Sequence, residues 1–338
     1  LRFARSRPPH EFAGPGRPAA GRRRSGGVAG ATGHRRVHRA GAARLWAKRS
    51  GGIGISIEWH TLDREPSLPG LYARAATRRK ITGTQLPDSG LRCWIDVDGK
   101  RLADYRKVCG FNDDGLLPPT YPHILAFALQ MQLLTARDFP FPLLGLIHLS
   151  NRIRVLRPMG GISRAQVSVR VHNLQPHPKG ATFDLLTTLD DQLGPLWEAE
   201  SQMLCRGVKL DGEAVEQHWE PSQALTEVTH WKAPADIGRQ YAKVSGDYNP
   251  IHLSAASAKL FGFPTAIAHG LWNKARTIAA LADHLPKANL EITVHFRKPV
   301  RLPSEVTLLA SAAGSSGELR LVGAGELEHM VGDWQPIA

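Results

Sequence analysis

The chain writes one hexapeptide pattern twice, as Tyr-Arg-Lys-Val-Cys-Gly at 105–110 and Tyr-Ala-Lys-Val-Ser-Gly at 241–246. After each copy come a histidine, an apolar run and an alternating segment that closes on a cation and a proline. In the first copy these are His123 and Arg157-Pro158, in the second His269 and Lys298-Pro299. A chain that repeats its landmarks in order folds most economically as two copies of one unit. From Tyr to His the first copy spans 18 residues and the second 28, so ten residues are missing from the first. They fall where the second copy reads Asp247-Tyr248-Asn249-Pro250-Ile251-His252.

The patterning says what the unit is made of. Residues 57–74 are broken by Pro66, Pro69 and Gly70 and yield little. Leu91, Cys93, Ile95 and Val97 alternate with polar residues, and Asp98-Gly99 reads as a hairpin turn closing that strand. Arg101–Val108 is helical up to Gly110, a natural left-handed stop. His123–Ala136 is apolar almost all round, which predicts a helix enclosed by other structure. Four alternating segments come next, at 147–155, 165–172, 181–189 and 196–205. Polar residues at 212–224 read as a linker. Beyond it Pro234 opens a helix whose Ile237, Tyr241 and Val244 share a face, stopped by Gly246. A second apolar helix is expected from Gly270 to Leu285, stopped by Pro286, then strands at 290–296, 304–311 and 317–328.

A formal charge of +13 invites a nucleic-acid reading, but its location removes it from the body. Residues 1–50 hold thirteen Lys and Arg against the single acid Glu11, which leaves +1 for all the rest. This Arg-, Gly- and Ala-rich segment, taken as 1–55, is expected to be a disordered basic extension, with a non-native origin favoured over a presequence or a nucleic-acid arm. No nucleic acid is expected on the folded part. Cys93, Cys109 and Cys205 form neither a zinc spacing nor a disulfide framework, which suits a reducing, cytoplasmic setting. No apolar run is long enough to span a bilayer, and no metal is expected.

The chemistry concentrates in 241–271. A helix stopping at Gly246 delivers Asp247 at a defined point, Asn249-Pro250 reverses the chain, and His252 returns beside it. A carboxylate and an imidazole so placed can hold and activate a water near neutral pH. Gly270, at the start of a buried helix, offers a backbone N–H at the positive end of the dipole, suited to an enolate oxygen. Taken singly, Asp-Tyr-Asn-Pro also serves as an ordinary turn, Gly270 as a close-packing residue and His269 as a satisfied core histidine.

The whole stretch, YAKVSGDYNPIH followed by Ala258, Gly262-Phe263 and IAHGL, resembles the signature of the (R)-specific enoyl-CoA hydratases, the MaoC-like dehydratases of hot-dog fold. The resemblance implies an α+β double hot-dog, each half a long central helix wrapped by an antiparallel sheet. It implies a degenerate N-terminal copy (56–211), a linker (212–224) and a catalytic C-terminal copy (225–338), paired within the chain, with a homodimer as a further option. Asp247 and His252 would be the catalytic dyad and the Gly270 N–H would bind the thioester carbonyl, supported by Asn249, His269 and Asn273. Some relatives carry a serine where Ile278 stands, which leaves no third polar catalytic residue assigned. The implied reaction is reversible hydration of trans-2-enoyl thioesters to (R)-3-hydroxyacyl thioesters, the acyl group carried on CoA or acyl carrier protein and no cofactor required. The alternatives are a thioesterase on the same fold and a non-enzymatic binding protein using the basic extension.

Overall fold

The computed structural model describes residues 57–214, 219–222 and 224–337. The basic extension and part of the expected linker lie outside them.

Within the described residues eleven strands form one sheet, in the order β1-β2-β4-β5-β6-β3-β8-β11-β10-β9-β7. In the N-terminal half these are β1 (Glu58–Leu62), β2 (Ser89–Asp96), β3 (Ile147–Val155), β4 (Arg164–His177), β5 (Gly180–Asp191) and β6 (Gly194–Arg206). The helices there are α1 (Leu68–Thr77), α2 (Gly99–Cys109) and α3 (Tyr121–Leu134). The C-terminal half holds β7 (Thr226–Ala233), α4 (Ile237–Ser245), a 3-10 turn (Pro250–His252), α5 (Ala255–Lys259) and α6 (Gly270–Ala280). It finishes with β8 (Leu290–Phe296), β9 (Ser304–Ala310), β10 (Gly317–Val322) and β11 (Glu328–Pro336). Setting β1 aside, the order β2-β4-β5-β6-β3 is repeated in reverse direction as β8-β11-β10-β9-β7. This is a double hot-dog.

The halves join at β3 and β8, antiparallel from Ser150 opposite His295 to Val155 opposite Leu290. Each half also completes a helix of the other. Arg101 of α2 donates to the carbonyls of Val244 (2.8 Å) and Ser245 (3.1 Å) at the end of α4. Trp272 of α6 donates to the Val108 carbonyl near the end of α2 at 3.0 Å. Carbonyls in the last turn of a helix have no partner of their own, so these bonds satisfy groups that burial would otherwise strand.

The two central helices differ in character. α3 is covered almost all round, with Ile124, Leu125, Leu129 and Leu133 each under 4% exposed; losing one such side chain to alanine costs about 2–5 kcal/mol. α6 instead buries Asn273, Lys274 and Thr277 alongside Trp272 and Ile278. The Lys274 ammonium reaches the β3–β8 seam, donating to the Asn151 carbonyl (2.8 Å), the Asn151 side-chain oxygen (2.7 Å) and the Ile292 carbonyl (3.2 Å). Asn151 is oriented in turn by Ser201 at 3.0 Å.

Several sequence expectations are corrected. Asp98-Gly99 is no hairpin turn: the Asp98 carboxylate accepts from the Arg101 N–H at 2.7 Å and caps α2. Asx residues satisfy helix N-termini as readily as they make turns, and only the partner distinguishes the two. The second apolar helix ends at Ala280, because the chain tightens there into three-residue bonds, Ala282 to Ala279 and His284 to Leu281, ahead of Pro286. The segment 317–328 is not one strand. Gly325 and Glu326 take positive φ (66° and 59°) and fold it into a hairpin whose second arm, β11, had not been anticipated. Nor had α1, which contributes to the site.

Candidate active site

α4 ends as its sequence requires, with Gly246 at φ 84° and its N–H on the Ala242 carbonyl at 2.8 Å. Beyond the glycine runs a relay of short side chains. The Ser245 hydroxyl accepts from Asp247 N–H (3.0 Å), the Asp247 carboxylate from Asn249 N–H (3.1 Å), and the Asn249 side chain from Ile251 N–H (3.4 Å). Each bond fixes the residue that makes the next, as Asx turns do, and the 3-10 turn then carries His252 inward to 8% exposure. The turn can lie this close because Gly238 has no side chain: a Cβ there would sit 1.9 Å from the His252 carbonyl oxygen.

His252 Nδ1 lies 2.8 Å from the Ile267 carbonyl. A carbonyl only accepts, so Nδ1 carries the hydrogen and Nε2 is left as a bare base. His269 Nε2 lies 3.0 Å from the Asp247 carbonyl and 3.8 Å from its carboxylate. The two rings stack with centroids 3.7 Å apart and planes 26° apart. Burial lowers the pKa of both, the Asp247 charge and the Ile267 bond opposing this at His252, and the neighbouring His252 adding to it at His269. Both are therefore neutral at neutral pH. Asp247, His252 and His269 bring ligand-type atoms within 4.8 Å of one another, yet they do not suit a metal. The planes of two stacked rings meet far beyond a metal–nitrogen bond of about 2 Å, so their lone pairs do not converge on one ion.

Gly270 begins α6 directly after His269, and as the first helical residue its N–H has no intrahelical acceptor. A Cβ on Gly270 would meet the Phe296 ring at 3.0–3.3 Å, and His148 packs against that ring at a tilt of 55° with centroids 4.9 Å apart. Gly270, Asn273, Lys274 and Thr277 share one helical face, the one Lys274 turns to the seam. The Asn273 side-chain oxygen, the Thr277 hydroxyl and His148 Nε2 are buried without a partner among the described residues. His123 and His148 are enclosed by protein, which pushes them down to about 4 and about 3, yet both keep some accessible surface. His123 also lies within the electrostatic reach of Asp247, whose charge opposes the effect of burial there.

The N-terminal half also touches the turn that holds Asp247. The Tyr72 hydroxyl on α1 donates to the Gly246 carbonyl at 2.8 Å and accepts from Tyr248 N–H at 2.6 Å. The matching place in the first copy is built differently. Gly110 is again left-handed (φ 78°), but Phe111 comes next and stacks on Tyr105. Asp113 and Asp114 make local turns and pair with Arg106 (2.9 Å) and Lys287 (3.0 Å). Arg276 of α6 fills the space against Gly110, 2.5 Å from where a Cβ would be. His123, matched to His269 by sequence, sits two residues inside α3 instead of just ahead of the helix.

Of the residues singled out from sequence, Asp247, Asn249, His252 and His269 come together, Gly270 adjoins them, and Asn273 lies one helical turn along. Sequence reasoning missed Tyr72, Gly238 and His148, and gave His123 no part in the site. A signal for α1 existed: Pro69 in the first helical turn, with Leu68, Leu71, Tyr72 and Ala75 at helical spacing.

A profile of the MaoC like domain matches residues 212–328. The 3-hydroxyacyl-thioester dehydratase X of Mycobacterium tuberculosis is 34% identical over 249 residues, covering 72% of this chain and 84% of that protein. The crystal structure of HtdX from Mycobacterium tuberculosis superposes with a TM-score of 0.64 at 30% identity, over 73% of this chain and 99% of that one. A MaoC-like dehydratase from Phytophthora capsici shares the fold, with a TM-score of 0.63 at 20% identity over 76% of this chain and 96% of that one.

Proposed function

The chain belongs to the family of MaoC-like dehydratases, and from that premise we propose that it hydrates trans-2-enoyl thioesters reversibly to (R)-3-hydroxyacyl thioesters, with Asp247 and His252 as its catalytic residues. It is a hydro-lyase acting on acyl thioesters. The observation that carries the assignment of the dyad is the bond from His252 Nδ1 to the Ile267 carbonyl at 2.8 Å. It leaves Nε2 unprotonated on a ring that has a nitrogen within 4.8 Å of the Asp247 carboxylate, and a bare imidazole nitrogen beside a carboxylate can together orient one water and accept its proton.

In the hydration direction the thioester carbonyl accepts the Gly270 N–H, which draws charge from the double bond and makes C3 electrophilic. Water, held through one hydrogen by Asp247, gives its other proton to His252 Nε2 as its oxygen bonds to C3. The electron pair of the double bond moves into the enolate, and the imidazolium proton goes to C2. One O–H bond and the C2–C3 π bond break, one C–O and one C–H bond form, and both residues end as they began. No electron leaves the substrate, so the reaction calls for no cofactor. His269 holds the turn through the Asp247 carbonyl, and Asn249 shapes it.

On this reading the C-terminal copy is catalytic, and the N-terminal copy, lacking the acid and the second histidine, pairs with it along β3–β8 and walls the acyl site with α3. We place the protein in the cytoplasm, which fits three cysteines that are all free and buried; no helix among the described residues is long and apolar enough to cross a membrane.

The test is loss of the enoyl-thioester absorbance with crotonyl-CoA. Asp247→Asn and His252→Ala should each lower kcat by about a hundredfold or more. Undiminished hydration by either variant would remove it from the mechanism, and release of free CoA without hydration would replace the hydratase by a thioesterase.

A further inference from the structure

Beside the ends of α1 and α3 lies a half-open pocket of about 460 Å³ lined by Arg74, Arg78, Thr135 and Arg137. Part of this basic lining has a structural purpose. Arg78 donates to the carbonyls of Ala136 and Phe139, in the turn just past the end of α3 and beside the negative pole of that helix. That pole amounts to about half an elementary charge, far less than three guanidinium groups supply. Arg74 and Arg137 remain, both exposed and neither in an ion pair among the described residues. No acidic residue occurs between Glu65 and Asp88, whereas Arg74, Arg78, Arg79 and Lys80 all do. Cations gathered on one pocket repel one another unless an anion joins them, and paired guanidinium groups suit a phosphoryl group above other anions.

The position of the pocket links it to the site. α1 carries Tyr72, which touches the turn holding Asp247, and Arg78, the residue that follows the last one of the helix, lies about 9 Å farther along. α3 places Phe127 against Gly246, and Thr135 lies about 12 Å farther along. A pantetheine arm has the backbone length of about four residues, roughly 15 Å when extended. A thioester held at Gly270 and Asp247 is thus within one arm's length of the arginines.

We propose that Arg74, Arg78 and Arg137 bind the phosphoryl group at the far end of the pantetheine arm of the acyl carrier. This rests on the hydratase reading and adds to it a binding site for the carrier. The phosphoryl chemistry is common to CoA and to the phosphopantetheine of acyl carrier protein, and a choice of substrates separates the two.

The test compares the full-length chain with its Arg74→Gln/Arg137→Gln variant, which leaves Arg78 to hold α3. Hydration is followed with crotonyl-CoA, crotonyl-acyl carrier protein and crotonyl-pantetheine, which has no phosphate. Binding of 3′,5′-ADP is measured separately by calorimetry. The expected result is a KM raised tenfold or more for a phosphorylated substrate with kcat retained, and no change for crotonyl-pantetheine. An effect on crotonyl-CoA together with lost 3′,5′-ADP binding assigns the site to CoA; an effect confined to the acyl carrier protein ester assigns it to that carrier. Equal KM values for all three substrates in both proteins would overturn the proposal. Failure of the wild type to hydrate any of them would overturn the hydratase reading instead, and loss of 3′,5′-ADP binding in the variant would still support the phosphate site.

Discussion

The Tyr72 hydroxyl bonds to the Gly246 carbonyl at 2.8 Å across 174 residues of sequence, and the same oxygen receives the Tyr248 N–H at 2.6 Å. One phenol thus clamps both sides of Asp247 from the other half of the molecule. Tyr72→Phe keeps the ring and removes both bonds. We expect kcat for crotonyl-CoA hydration to fall about tenfold with KM little changed, and stability to fall by about 1–2 kcal/mol. Steady-state kinetics beside urea unfolding checks this; an unchanged kcat would show that the turn holds without its clamp.

Gly238 carries no chemistry, yet the site depends on its missing side chain. A methyl group there collides with the His252 carbonyl oxygen, which belongs to backbone and cannot rotate away. Gly238→Ala should therefore displace the 3-10 turn and cost about 1–3 kcal/mol or more, with kcat reduced at least as far as in His252→Ala. An active Gly238→Ala enzyme would mean that the turn has slack the structure does not suggest.

The pH dependence has a definite sign. Burial holds His252 below the ordinary histidine value, so its base form persists as pH falls through about 6.5. The acid limb of kcat/KM for hydration should accordingly lie below pH 6.5. A limb at or above that value would assign the proton acceptor elsewhere.

Stability should move in the same range for a different reason. His123 and His148, at about 4 and about 3, stay neutral in the folded protein where the unfolded chain already takes up protons. The unfolded state binds more protons between about pH 6.5 and 4, so stability is lost as pH falls through that window, by about 1.4 kcal/mol per pH unit for each residue. Replacing both by glutamine should flatten the slope of unfolding free energy against pH. An unaltered slope would place the acid sensitivity in other groups.

Lys274 sits fully buried with three oxygens around its ammonium. Lys274→Met fills most of the volume but strands those acceptors, and should cost about 1–3 kcal/mol. Lys274→Ala adds a cavity and should cost about 3–5 kcal/mol. Guanidinium unfolding distinguishes the two; equal stability of Lys274→Ala and wild type would mean that the seam repacks without its cation.

The Asp247–His252 turn was legible in the sequence because everything that shapes it is local. Gly246 stops the helix through its own φ, and Ser245, Asp247 and Asn249 each bond to a backbone N–H two residues on. The unit itself was legible for a similar reason, since the period of its apolar residues reports helix or strand without reference to distant partners. Where the same residue type serves two local ends, as Asp98 does between turn and cap, sequence pattern chose wrongly. The remainder was decided by the tertiary structure. Asn151 and Lys274 meet because β3 pairs with β8, and Tyr72 reaches the residues on either side of Asp247 because α1 packs beside α3. Whether His123 faces an internal space or packed core depends on what the opposite half leaves open. Such contacts join residues far apart in the chain, and no spacing between neighbours encodes which distant surfaces will be brought together when apolar faces are buried.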